Sequence, residues 1–340
     1  MTRHWAFIGT GRVSRQMADA VGRAGGAQLR GVLSRRPETA QAFAWDHGAA
    51  TPYASLEAML GDPEVDIVYV ASPNGLHRDH VVAAAEAGKH VLCEKPMAND
   101  AGDCLAMIAA CSRAGVQLGL GFQYRQHPAH ARVRDLVARD ELGRPVFADA
   151  AVHVPQLTTP DWYDDTSLAG GGVLPMAGVH RIDLLRFVLG AEVDEVSAFL
   201  TARDTRRPYE DVAAALLRFD NGAVATVRFA LDAASPGDGV SVSGERGWAN
   251  AARTTSQWWG TDGGEVTWSG DDGPGAEPFA MQDLYVRQVT SFVVVVAVDG
   301  AGLFEADGVD GLRAAEVTTA LRTSAETRSV VSVDRTEVGS

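Results

Sequence analysis

Cysteine is scarce in this chain: Cys93, Cys104 and Cys111 are the three among 340 residues. They are odd in number and lack metal-ligand spacing. That argues against a disulfide scaffold and a zinc site, and suits a reducing cytoplasm. Long apolar runs are absent too. The longest, FVVVVAV at 292–298, falls far below the roughly 20 residues of a membrane span. Thr2 and Arg3 lead directly into a strand-like segment, leaving no room for a signal peptide; the expected location is cytoplasmic. Positive charge is also short, 30 Lys and Arg against 44 Asp and Glu giving a net charge of −14. A nucleic-acid partner needs a basic face, and none is expected. Membrane, nucleic-acid and metal-centred functions are set aside.

What is present is an ordinary globular composition, 46% apolar and 22% charged, in a chain long enough for two domains. Over residues 1–122 short apolar runs alternate with helical patterns. WAFIG (5–9), LRGVLS (29–34), VDIVYVAS (65–72), KHVLCE (89–94) and VQLGLGF (116–122) are strand-like, separated by amphipathic stretches such as RVSRQMADAVGRA. This alternation predicts right-handed βαβ units and an α/β domain of Rossmann type, with a doubly wound parallel sheet. Over 123–340 the texture changes. VFADAAVHV (146–154), EVSAFLTAR (195–203), AAALLRFD (213–220) and AVATVRFAL (223–231) are strand-like, and Asn221-Gly222 between the last two is a hairpin signal. Helical patterns return at 281–298 and 309–327. The expectation is an α+β domain with a large, mainly antiparallel sheet, serving substrate binding and oligomerisation.

GTGRVS (9–14) lies where the first strand meets the first helix. Gly9 permits a tight turn, Gly11 lets backbone approach a pyrophosphate, and the helix N-terminus supplies donors. Gly9, Thr10, Gly11, Arg12 and Val13 are therefore candidate cofactor residues; Ser14 replaces the usual third glycine. Glycines at such a turn can be purely structural, but the strand before and the βαβ series after favour nucleotide binding. The second strand ends in LSRRPE, where NAD readers hold a carboxylate for the ribose 2′-hydroxyl. Ser34, Arg35 and Arg36 suit a 2′-phosphate instead, so NADP(H) is favoured over NAD(H). A solvated basic pair is the alternative.

HVLCEKPMA (90–98) follows another strand. Pro96 suits a cis Lys95–Pro96 peptide that aims Lys95 inward at the strand's carboxyl end, the ligand edge of open parallel sheets. A surface Glu-Lys pair is the bland reading. With GTGRV, SPNGLH (72–77), AGKHVLCEKPMA (87–98), GFQYRQHP (121–128), DWY (161–163) and GGGVLPMAGVHRID (170–183), the chain resembles the glucose–fructose oxidoreductase/inositol dehydrogenase/rhizopine catabolism (Gfo/Idh/MocA) family over almost its whole length. Within the family it is most like the sugar reductases and cyclitol dehydrogenases. The resemblance implies that Ser72, Pro73, Asn74 and His77 line the nicotinamide ribose side. It places Glu94 and Lys95 at the nicotinamide end, Lys95 beside the reacting oxygen. It puts Gln123 (cofactor) and Arg125 (substrate) at the domain junction, and Trp162 near the cofactor. Tyr163 stands where an Arg is frequent.

In that family the glycine triplet is followed by an Asp and then a His that assist the Lys. Here His180 is kept and Met176 occupies the Asp position. Methionine can neither carry charge nor relay a proton. Lys95, partly desolvated beside a cationic nicotinamide, could have a lowered pKa and serve alone. His180 opens a helical pattern, whose positive dipole end favours neutral imidazole. Asp183, at i+3, could orient that ring or bind a substrate hydroxyl. His153, on a strand of the second domain, faces either substrate or solvent. His80, His127 and His130 read as surface or structural residues. Trp248, Trp258 and Trp259 form either a stacking platform or a buried or subunit contact.

The expected activity is hydride transfer to or from a carbinol or carbonyl carbon of a polyol, cyclitol or keto-sugar, with Lys95 as acid/base and His180 assisting. Lys95, Arg125, His153, Met176, His180 and Asp183 are the candidate substrate residues. A homodimer or homotetramer through the C-terminal sheet is expected, with no metal. The alternatives are an imine or enone reductase, a non-catalytic NAD(P)-binding sensor, and an NAD-assisted glycoside hydrolase.

Overall fold

A computed structural model describes residues 2–154, 159–234, 238–254, 263–297 and 304–338, and the chain divides into two units. The first holds six strands: β1 (Arg3–Ile8), β2 (Ala27–Leu33), β3 (Thr51–Tyr53), β4 (Ile67–Val70), β5 (His90–Cys93) and β6 (Leu118–Leu120). All pair in parallel, in the order β3-β2-β1-β4-β5-β6. Helices α1 (Arg12–Arg23), α2 (Pro37–His47), α3 (Leu56–Leu60), α4 (His77–Glu86) and α5 (Ala101–Ala114) connect them. All four residues of β4 are buried, as in a strand covered on both faces. The strand order reverses beside β1, so the carboxyl ends of β1 and β4 form a topological switch point, where dinucleotides bind in such sheets. β3 escaped the sequence reading because it is three residues long with Pro52 at its centre; only an edge strand tolerates that.

The second unit is built on β7 (Pro145–Val154), β8 (Val193–Thr201), β9 (Val212–Phe219), β10 (Val224–Leu231), β11 (Asp238–Gly244), β12 (Trp248–Ala252), β13 (Gly264–Gly270), β14 (Gly273–Phe279) and β15 (Val331–Ser332). Their order is β14-β13-β12-β11-β7-β10-β9-β8-β15. Every pairing is antiparallel except that of β7 with β10. The Asn221-Gly222 turn joins β9 to β10, with Gly222 at φ +87°. Its helices are α6 (Pro128–Ala138), α7 (Thr166–Ala169) and α8 (Val179–Leu189). Ala148, Ala150, Val152 and Val154 of β7 enter one core with Ile182, Leu185 and Val188 of α8. Alternate residues face the other way, where Phe199, Leu216 and Trp248 remain exposed.

The domain boundary needs correction. The sequence reading assigned all of 123–340 to the second domain, but Asp283–Leu312 belongs to the first unit. Helix α9 (Leu284–Ala297) packs against α1. Phe292 meets Trp5 at 5.9 Å between ring centres, and Gln288 Nε2 donates to the Leu120 carbonyl at 2.9 Å. Apolar periodicity predicted this helix but is silent on which sheet it covers. The last helix, α10 (Gly308–Thr327), starts in the first unit and ends in the second. Among the described residues no helix is long and apolar enough to cross a membrane, and the three cysteines are buried and form no disulfide there.

Candidate active site

In the first unit the candidate residues gather along the carboxyl edge of the parallel sheet. Gly9 sits at φ +111°, and a Cβ there would lie 2.4 Å from the Ala71 carbonyl oxygen. No other residue fits that turn. Gly11 caps α1 with no side-chain hydrogen bond and no acidic residue in the first turn. A Cβ on Gly11 would meet nothing within 4 Å. Open space before uncapped helix N–H groups is what a pyrophosphate needs, so these residues fit a dinucleotide. Arg12 is exposed and Val13 half-buried.

At the end of β2, Ser34 Oγ lies 2.6 Å from Thr39 Oγ1 and accepts from Thr10 Oγ1 at 3.5 Å. The sequence reading missed Thr39, which directly follows LSRRPE. Arg35 and Arg36 are exposed, and neither side chain has an ion-pair partner among the described residues.

Ser72 and Pro73 are half-buried on the loop after β4, and Asn74 is buried. His77 needs correction as a cofactor contact. It is 0% exposed, with Nε2 2.9 Å from the Ser72 carbonyl and Nδ1 3.0 Å from that of Pro96. Its ring therefore ties the loop after β4 to the loop after β5. Burial lowers its pKa to about 4, against the opposing pull of those carbonyls. His80, read as a surface residue, is half-buried with Nδ1 2.9 Å from Ser72 Oγ.

The Lys95–Pro96 peptide is cis. Glu94 is buried; Tyr69 Oη donates to its Oε1 at 2.7 Å and the Lys95 amide to its Oε2 at 3.3 Å. Gly121 leaves room for this carboxyl, since a Cβ there would lie 2.9 Å from Oε1. Burial raises the Glu94 pKa and lowers that of Lys95, their opposite charges resisting both shifts. Burial thus disfavours charge on both groups, which eases proton exchange at the amine. Burial also raises the Tyr69 pKa, keeping its phenol a donor. Gln123 Nε2 donates to Tyr285 Oη at 3.4 Å. Tyr285 was missed because its segment had been assigned to the other domain.

In the second unit the glycine triplet is explained by contact. A Cβ on Gly172 would lie 1.9 Å from the Glu210 carbonyl oxygen, which accepts from the Val173 amide at 2.9 Å. A π-helical turn, Leu174–Gly178, then carries Met176, half-buried against the core, directly into α8. This corrects the dipole argument: helical backbone already precedes His180, so the imidazole is not at a free positive end. His180 is 8% exposed.

Asp183 and Arg125, expected to bind substrate, are paired with each other. Arg125 Nε and Nη2 donate to the two Asp183 oxygens at 2.9 and 2.6 Å, and both residues are buried, 7% and 2% exposed. A buried fork-to-fork pair of this kind is structural first. His153 alternates with the core-facing Val152 and Val154, so it lies on the sheet face away from α8; it and His180 are not brought together. His127 caps α6 and His130 binds the Tyr124 carbonyl at 2.7 Å. Trp162 is half-buried, its ring 4.2 Å from that of Tyr163. Trp248 is 44% exposed on the open face of the sheet; Trp258 and Trp259 lie outside the described residues. Among those residues no three His, Cys, Asp or Glu side chains are grouped to hold a metal ion.

Comparison with known proteins agrees with this layout. A family model described as an oxidoreductase family with an NAD-binding Rossmann fold matches residues 3–122, and the GFO/IDH/MocA C-terminal domain matches 130–250. The chain is 33% identical to a 1,5-anhydro-D-fructose reductase of Ensifer adhaerens, over 91% of this chain and 92% of that one. It is 33% identical to D-xylose 1-dehydrogenase (NADP(+)) 2 of Haloferax volcanii, over 97% and 99%. The solved aldose-aldose oxidoreductase of Caulobacter crescentus superposes with a TM-score of 0.88 at 28% identity, covering 98% of this chain and all of that one. With both units matched, the chain belongs to the Gfo/Idh/MocA family of NAD(P)-dependent oxidoreductases.

Proposed function

We propose that the protein moves hydride to or from a carbinol or carbonyl carbon of a sugar, cyclitol or related polyol, with Lys95 as acid/base and His180 assisting. The observation that carries this reading is the buried Glu94 carboxyl, held by Tyr69 and the Lys95 amide at the carboxyl edge of the parallel sheet, where burial lowers the Lys95 pKa. The nicotinamide supplies or accepts the hydride when bound. The Lys95 ammonium gives a proton to the substrate oxygen in reduction, and its neutral amine takes one in oxidation. Tyr69 holds Glu94 in place through this exchange. Met176 contributes no proton, so the lysine carries the exchange with its own glutamate. The names of two relatives, one a fructose-derivative reductase and one a xylose dehydrogenase, support a sugar as substrate. A panel of polyols and keto-sugars with each cofactor tests this; absence of any cofactor turnover across it counts against the reading.

NADP(H) is the proposed cofactor. The Ser34 hydroxyl network and the two exposed arginines suit a 2′-phosphate. Charge-assisted hydrogen bonds are strong, so an Arg35→Ala/Arg36→Ala variant is expected to bind NADPH roughly 10- to 100-fold more weakly. NADH affinity is expected to stay unchanged. Fluorescence titration of both dinucleotides checks this, and equal losses for both reject the assignment.

The open sheet face is the proposed homo-oligomer interface, a homodimer or homotetramer. Phe199 and Leu216 there are 82% and 51% exposed, a costly arrangement in a monomer. Light scattering at micromolar concentration is expected to give a dimer or tetramer, and a Phe199→Glu variant a smaller species. A monomeric wild type rejects this.

A further inference from the structure

The activity proposed above leaves Tyr124 without a role. It sits in the short turn Gln123–Gln126, and it and Arg125 reach α8 at positions three apart, one helical turn. Tyr124, 4% exposed, places its ring 4.9 Å from that of His180 at an interplanar angle of 81°. Edge-on geometry of this kind is a favoured aromatic arrangement. The Arg181 guanidinium lies 4.8 Å from the Tyr124 ring centre, and His130 holds the Tyr124 carbonyl at 2.7 Å. Tyr124 is therefore gripped through both its ring and its backbone. Beside it, the buried Arg125–Asp183 pair fixes the helix three residues beyond His180.

An imidazole on a rigid helix still turns about its own side-chain bonds. A fixed ring at right angles restricts that rotation and decides where the nitrogens point. We propose that Tyr124 is a positioning residue, its ring orienting the His180 imidazole while the Arg125–Asp183 pair holds the backbone beneath it. This rests on the reading of His180 as the assisting group. The hydroxyl has no part in the argument; the ring does.

Tyr124→Phe and Tyr124→Leu in the full chain separate the two. Imidazole carbon–proton correlation spectra of histidine-labelled protein, with His180 assigned by a His180→Gln variant, read the ring contact with His180 without any substrate. The leucine variant is expected to lose the ring-current displacement of the His180 signals. It is also expected to lower kcat on the keto-sugar or polyol identified by the panel on the order of tenfold, with NADPH affinity within twofold of wild type. Phenylalanine is expected to preserve signals and kcat. Should leucine fail to fold, Tyr124→Met carries the same comparison. Unmoved His180 signals in the leucine or methionine variant overturn the proposal, as does a phenylalanine variant as impaired as leucine. Displaced signals with unchanged kcat uphold the ring contact and overturn the catalytic reading of His180 instead.

Discussion

Replacing Lys95 with alanine is expected to lower turnover about 10²- to 10⁴-fold, the usual worth of a positioned acid or base, while NADPH still binds. The cofactor turn at Gly9 and Gly11 and the Ser34 corner do not involve this side chain, so binding and chemistry separate. Loss of cofactor affinity with unchanged kcat would reverse the assignment. A pH profile adds a second reading. Burial lowers the Lys95 pKa, so the neutral amine forms below the pH of an ordinary lysine. Oxidation needs the amine and should rise with pH through that lowered pKa; reduction needs the ammonium and should fall through it. Glu94→Gln removes the charge that raises the Lys95 pKa and should move both limbs to lower pH. Steady-state rates in both directions over about pH 5 to 10 measure this, and profiles that do not move reject the coupling.

Asp183→Ala is expected to cost stability rather than substrate affinity. Arg125 would be left buried without its bidentate partner, and Arg186, 3.4 Å from the same carboxylate, would lose that contact while keeping Glu192. Breaking a buried pair from one side costs about 3–5 kcal/mol. For a unit of this size that corresponds to a fall in melting temperature on the order of 10 °C. Replacing both partners by apolar residues, Arg125→Met with Asp183→Leu, is expected to recover most of the loss, since no charge is then stranded. Thermal denaturation monitored by circular dichroism decides; an alanine variant melting within 2 °C of wild type would show the pair contributes little.

These expectations show where the sequence is readable. The parallel sheet was legible because its strands other than β3 contain short apolar runs bounded by glycine or a helical pattern, and Gly9, Gly11 and Lys95 stand at the ends of such runs. The roles of Arg125, Asp183 and His77 were not. A charged residue in a motif looks the same whether it faces a ligand or another charge, and only the fold shows that Arg125 meets Asp183 58 positions away. Tyr69 carried a faint signal, a phenol inside an all-buried strand, which must find a partner. Tyr285 carried none, because its helix returns to a sheet completed far earlier in the chain.

That return has a consequence for biogenesis. Trp5, on the first strand, is wholly enclosed, and Phe292, which meets its ring, belongs to a helix that ends at Ala297. A ribosome must therefore translate past Phe292 before the nucleotide-type sheet receives this covering, and the opening strands wait, part-clad, until that helix emerges.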